Sequence, residues 1–410
     1  MDSPPDIVIR NTYLPTREPL VDVAVADGVI DDMFPSANVA AATEIDADGR
    51  LVSPGLVDAH VHLDMAFSAG RDRLPHYNDG PRDLAANIQA TGDYFAGLSR
   101  PALETNVAEA ARLAIANGVL HVRSHCYVDS IVGASVLEAV ERVRERLSGV
   151  IDIQTVSFPQ QGIAHDSGSL DALEAGLEAG ADLVGGLDPA TRNGDREGTI
   201  ETWFDLAAEH DAGLDIHVHE RGEEGMETLR ALAAAATDRG LGGRTAASHA
   251  FGLADADGST RNRAVESFQN VGLGLVTCYQ STPGSMPIRA FDEAGHGLAH
   301  GTDQVRTLWS PHGNADALQA MLVESLRLDL PATNDVLGAL WRLITENGAA
   351  VLGIDSDYGI ETGAAADLVV HAAASPQLAI LTGATPAYVI KSGTVVAENG
   401  TVVDWPVDGG

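Results

Sequence analysis

A (β/α)8, or TIM, barrel bearing a small β-sandwich domain built from both chain ends is the α/β architecture to which this sequence points. Apolar, strand-like runs alternate with helix-like stretches through the middle of the chain. Short β-rich runs with Asp-Gly and Asn-Gly turns occupy both ends. The polar residues able to do chemistry fall at the C-terminal ends of the central strands, where barrel enzymes carry their active sites.

The elements follow in order. Near the N-terminus, Asp6–Arg10, Val21–Ala26 and Val29–Met33 read as strands, with Asp27-Gly28 as a hairpin signal. The C-terminal stretch is built alike, with strands expected at Asp367–His371, Ala387–Lys391, Thr394–Ala397 and Thr401–Asp404, punctuated by Ser392-Gly393 and Asn399-Gly400. Residues 1–53 and 355–410 are therefore expected to form one composite sandwich, with a barrel over 54–354 inserted between them. The barrel strands are expected at Leu56–His62, Val119–Cys126, Ile151–Phe158, Leu183–Leu187, Leu214–His219, Thr245–His249, Leu273–Cys278 and Leu298–Asp303. Residues Leu103–Asn117 have helical apolar spacing and stop at Gly118, and a helix is expected over Asp335–Glu346 behind a capping Asn334. A doubly wound open sheet is the competing topology. No glycine-rich phosphate loop follows the first strand, which counts against a nucleotide cofactor.

Charge narrows the partners. The chain has 410 residues, 59 acidic against 25 basic, for a formal charge of −34. Its single lysine is Lys391. So acidic a chain repels nucleic acid and anionic membranes, leaving a small molecule as the expected partner. The excess is spread rather than blocked, which suits a halophilic, salt-rich cytoplasm: near 1 M salt the Debye length falls to roughly 3 Å and clustered carboxylates cease to repel strongly. Cys126 and Cys278 lie in apolar segments and are expected as buried thiols. Met1–Asp6 has no basic or apolar leader, and no apolar stretch is long enough to span a bilayer, so a cytoplasmic location is expected.

The chemistry concentrates at strand ends. His60 and His62 close the first barrel strand, and residues two apart on a strand point the same way, so two imidazoles can reach one ion. His217 and Glu220 end the fifth strand, His249 the sixth and Asp303 the eighth. Taken singly, Asp303 reads as a helix cap, Glu220 as a solvated carboxylate and His249 as a satisfied interior histidine. Convergence on one rim favours a site instead: His60, His62, His217 and Asp303 as ligands of one Zn²⁺ or Fe²⁺, with a position left for water. A bound ion lowers the pKa of that water from 15.7 toward roughly 7. Glu220 is the candidate proton carrier, and His249 orients or polarises the nucleophile. His219 shares a strand face with His217 and is an alternative ligand. His121 and His125 read as wall or supporting residues of the second strand.

With these residues in view, the chain resembles the amidohydrolase superfamily, and within it the cytosine deaminase group. The markers are Pro54-Gly55-Leu56-Val57-Asp58-Ala59-His60-Val61-His62-Leu63-Asp64, the segment Asn117–His125, Phe158-Pro159-Gln160-Gln161-Gly162, His217-Val218-His219-Glu220, Ala247-Ser248-His249, and Gly301-Thr302-Asp303-Gln304-Val305 with Trp309 following. The resemblance implies one metal held by His60, His62, His217 and Asp303, proton transfer by Glu220, assistance from His249, a hydrogen bond from Gln160 to a heterocycle, Trp309 near the pocket, and a homo-oligomer. It implies hydrolytic loss of an exocyclic amine, or an alkylamine, from a planar nitrogen heterocycle by attack of metal-bound hydroxide, with Asp303 accepting the proton from water. The alternatives are an N-isopropylammelide-like amino-triazine or cyclic amide hydrolase and, in another class, a catalytically silent binding or assembly protein on the same scaffold. Relatives with two ions bridge them through a lysine inside the barrel, and the one lysine here lies in the C-terminal β segment. Three departures concern the substrate side: Gln304 where the group has a second acid, His219 where it has aspartate, and Leu187–Asn193 in place of an aromatic and acidic stretch.

Overall fold

A computed structural model describes residues 4–35, 39–73, 83–279, 286–295, 297–327 and 331–406. Eight parallel strands form the barrel: β1 (Leu56–Val61), β2 (Val119–Tyr127), β3 (Asp152–Phe158), β4 (Leu183–Leu187), β5 (Gly213–His217), β6 (Thr245–Ser248), β7 (Gly274–Thr277) and β8 (Leu298–His300). They neighbour one another in sequence order. The ring closes just past β8, where the Asp303 N–H donates to the His60 carbonyl (2.8 Å) and the His62 N–H to the Asp303 carbonyl (3.0 Å). Closure thus places a proposed carboxylate ligand directly beside two proposed imidazole ligands.

The strands read as near-continuous apolar runs because helices cover the outer face and side chains fill the inner one. All nine positions of β2 are buried. The helix Arg100–Ala116 buries Leu103, Val107, Ala110, Ala111, Ala114 and Ile115, one stripe at helical spacing. It ends before Gly118, whose φ of +83° and tight approach to Val369 and Pro386 suit only a residue without Cβ. The expected helix over Asp335–Glu346 instead runs Asn334–Leu343, with Thr333 as its cap, and a separate helix occupies Glu346–Leu352. The break has a cause: the Ile344 carbonyl accepts from Val57 N–H of β1 (2.9 Å), and the Thr345 hydroxyl donates to the Trp341 carbonyl (2.8 Å).

Both chain ends build the sandwich. One sheet holds Ile7–Leu14, Arg17–Ala26, Val29–Phe34 and Thr43–Asp46. The other joins Val52–Pro54 to Leu368–His371, Pro386–Lys391, Thr394–Glu398 and Thr401–Val402. Ile9, Val23, Val25 and Ile30 from the first pack with Val52, Leu368, Val370 and Ile390 from the second. Cys126 and Cys278 are both buried and stand outside any disulfide. Among the described residues no helix is long and apolar enough to cross a membrane.

Candidate metal centre

The C-terminal ends of β1, β2, β5, β6 and β8 gather six histidines and one aspartate. His60, His62 and Asp303 offer ligand atoms within 4.8 Å of one another, and so do His60, His125 and His217. His62 Nε2 and His217 Nε2 lie 3.3 Å apart. Asp303 Oδ1 is 3.7 Å from His60 Nε2 and 3.6 Å from His62 Nε2. Local sequence makes this packing feasible. A Cβ at Gly301 would sit 2.4 Å from the His60 Cβ, so only glycine lets β8 pass behind His60. Asp303 and His249 adopt left-handed backbone (φ +62° and +71°), a strained state that aims their side chains inward.

Burial sets the charge state. It pushes the pKa of His60, His62, His125, His217 and His249 below the ordinary value for histidine, and for His60 and His217 the neighbouring imidazoles push further the same way. Neutral imidazoles carry lone pairs. His60 Nε2, His217 Nδ1 and both nitrogens of His125 are buried without a hydrogen-bond partner in the chain. Converging neutral donors beside a carboxylate fit a divalent cation. His60, His249 and Cys278 form a third close group, but burial pushes the Cys278 thiol up and away from the thiolate a metal prefers.

A cavity of about 410 Å³ opens above this cluster. Its walls include Met65, Leu84, Phe158, Leu187, Phe251 and Trp309, and its polar groups include Gln160, His219, His249, Asp303 and Gln304. The Gln160 Oε1 is buried and unpaired. Trp309 spends its indole N–H on Thr91 Oγ1 (2.8 Å), so it offers the cavity a ring. Gln304 donates to Asp303 Oδ1 (2.7 Å), holding that carboxylate in place.

The model of the amidohydrolase family matches residues 97–397. Over 398 residues the chain is 38% identical to the N-isopropylammelide isopropyl amidohydrolase of Pseudomonas sp. (strain ADP), covering 97% of this chain and 98% of that one. The chain belongs to the amidohydrolase family. Members hydrolyse carbon–nitrogen bonds, so this protein is an enzyme of that type. Its fold superposes on the crystal structure of N-isopropylammelide isopropylaminohydrolase from Burkholderia multivorans with a TM-score of 0.89, at 29% identity and coverage of 97% and 99% of the two chains. It also superposes on 5-methylcytosine deaminase from Klebsiella pneumoniae, with a TM-score of 0.83, 24% identity and coverage of 95% and 97%.

Among the expected site residues, Glu220 is absent from the lining of this cavity. Strand β5 ends at His217, two residues short of the expected His219. The Asp188 carboxylate then caps the turn, accepting from the backbone N–H of His219 (2.6 Å) and Glu220 (3.2 Å). That turn sends Glu220 out of the cavity. One Glu220 oxygen accepts from Ala190 N–H and Thr191 N–H, both at 2.9 Å, and the other from the Thr228 hydroxyl. His219 lines the cavity instead, its ring 4.4 Å from that of His249 and its Nδ1 3.5 Å from Asp188 Oδ2. His219 falls in none of the close metal-binding groups among the described residues, and Asp188, just past β4 with φ +41°, is a partner of this turn that sequence reasoning passed over. Its position just past a barrel strand was the available signal.

Proposed function

We propose that this amidohydrolase removes an amine substituent from a planar nitrogen heterocycle by hydrolysis, and that it takes an alkylamine in preference to a bare amino group. The carrying observation is the cavity lining, which combines a few polar groups, Gln160, His219 and Gln304 among them, with apolar Met65, Leu84, Leu187 and Trp309. The polar groups suit a ring with nitrogens and carbonyls, and the apolar side chains suit a branched alkyl group. Relatives named for N-isopropylammelide, an alkylamino-triazine, match nearly the whole chain, which supports the same reading.

His60, His62, His217 and Asp303 would hold one divalent ion, Zn²⁺ or Fe²⁺. When bound, that ion supplies Lewis acidity and a nucleophilic water at neutral pH. Asp303, steadied by Gln304, would accept a proton from the attacking water. His219, facing the cavity with Asp188 behind its Nδ1, hands a proton to the departing amine in the role expected of Glu220. The Glu220 carboxyl, which burial pushes up, ties the loop at Ala190–Thr191 to the helix that follows β5. Gln160 bonds the ring through an amide that both donates and accepts. The charge of −34 supports a salt-rich working medium.

The test is amine release from N-isopropylammelide, ammelide and cytosine at molar KCl, with Zn²⁺ and Fe²⁺ supplied separately. Faster release of isopropylamine than of ammonia supports the proposal. Ammonia from cytosine alone returns the enzyme to the deaminase reading. A metal-loaded protein that releases no amine from any of the three contradicts the proposal and favours a silent scaffold.

A further inference from the structure

We infer that Ser248 and Asp215 are positioning residues that fix the tautomer of His60, so that its Nε2 lone pair faces the metal position. The inference rests on the metal reading above and concerns groups that never touch substrate. Ordinary barrel interiors stack branched aliphatic side chains beneath the active site. Here the layer below the ligands is polar. Asp215 lies two residues before His217 on β5, and Arg123 two before His125 on β2, so each points into the barrel beneath its histidine. Arg123 is 3% exposed, and Asp215, Ser248 and His60 are fully buried.

These four side chains form one chain of contacts. Arg123 Nη1 donates to Asp215 Oδ2 (2.9 Å). Ser248 Oγ donates to Asp215 Oδ1 (2.7 Å). His60 Nδ1 lies 2.8 Å from Ser248 Oγ. Counting hydrogens gives the direction. A serine hydroxyl has one proton, and a carboxylate is its stronger acceptor. With that proton committed to Asp215, Ser248 meets His60 with a lone pair, so His60 Nδ1 must carry the hydrogen. Its Nε2 is then the bare nitrogen, and that is the atom the protein leaves without a partner.

Arg123 sets the direction of the chain. A guanidinium has only donors, so Asp215 Oδ2 meets Arg123 as an acceptor while Oδ1 accepts from Ser248. With both carboxylate oxygens accepting, Ser248 is left to receive from His60 Nδ1. The guanidinium is itself anchored, since Nε and Nη2 reach Gln154 Oε1 (3.1 and 3.0 Å) and Nη2 also reaches the Val351 carbonyl (2.9 Å). The relay therefore starts at the far end of the barrel, in the helix Glu346–Leu352, and ends on a ligand.

The decisive experiment is long-range ¹H–¹⁵N correlation NMR of histidine-labelled, metal-free protein, with His60 assigned by its loss in His60→Gln. The relay predicts hydrogen on Nδ1 in the wild type. It also predicts that Ser248→Ala binds Zn²⁺ roughly 10- to 100-fold more weakly, read by calorimetry. Hydrogen on Nε2 in the wild type overturns the inference, as does wild-type Zn²⁺ affinity in Ser248→Ala. A wild-type protein that takes up no Zn²⁺ overturns the metal reading, and the tautomer then still decides the relay by itself.

Discussion

The two ends of the barrel both gather histidines and carboxylates, yet they are built on opposite terms. At the floor, Lys391 Nζ lies 2.6 Å from Asp152 and 2.5 Å from Asp367, and His121 Nδ1 lies 3.2 Å from Asp152. His121 Nε2, 3.5 Å from Asp367, makes no hydrogen bond, but the lysine and the two carboxylates are directly paired. At the mouth, five buried imidazoles are held neutral and several of their nitrogens have no partner in the chain. By residue type either cluster could hold a metal. What separates them is the lysine: an ammonium at the centre of the floor takes the place a cation would need, whereas lone pairs at the mouth leave it open. A paired cluster fastens the sandwich to the barrel; an unpaired one waits for a ligand.

Substitutions at the two ends should separate activity from stability. His217→Ala should lower kcat at least about 10³-fold, since metal polarisation supplies several kcal/mol, with little change in melting temperature of the metal-free protein. His219→Asn should lower kcat by roughly 10²- to 10⁴-fold, the usual size for a lost proton carrier, while the bound metal per chain stays at the wild-type level. Asp367→Ala, at the floor, should cost about 3 kcal/mol in denaturant unfolding, because it strips a counter-charge from a buried lysine, and should leave kcat unchanged. Glu220→Gln is the finer discriminator. If Glu220 only ties a loop, the variant should lose about 1 kcal/mol of stability and keep kcat within about tenfold of wild type; a collapse of kcat with intact metal would restore Glu220 to proton transfer.

Acid should reach the mouth first. Below about pH 6.5 the unfolded chain protonates its histidines, while the folded mouth resists. Stability of the metal-free protein should therefore fall as pH drops below about 6.5. At the floor, burial would raise the Asp152 carboxyl, but His121 and Lys391 outweigh it and bring it to about 2. Its contribution should persist until pH falls below about 3.8 and disappear toward 2. Unfolding followed across pH 7 to 2 checks both; a flat profile between 7 and 5 would contradict the picture of neutral, desolvated imidazoles.

Much of this was legible in the chain, for definite reasons. His60, His62, His217 and Asp303 stand at strand ends, and a barrel sends all strand ends to one rim, so alternation and topology bring them together. His219 and Glu220 were not separable that way. Their positions depend on β5 stopping at His217 and on Asp188 capping the turn, and a strand end is hard to place to within two residues. The floor cluster was equally opaque: His121, Asp152, Asp367 and Lys391 come from distant parts of the chain and meet only because the sandwich seats against the bottom of the barrel. The break before Thr345 was hidden too, since it answers to a hydrogen bond from Val57 on another element.

Metal stoichiometry in paired variants tests the central claim most directly. Wild-type protein, stripped with a chelator and titrated with Zn²⁺, should take up one ion per chain; His217→Ala should abolish tight uptake and His121→Ala should leave it intact. Uptake that survives His217→Ala and disappears in His121→Ala would put the metal at the wrong end of the barrel and contradict the account.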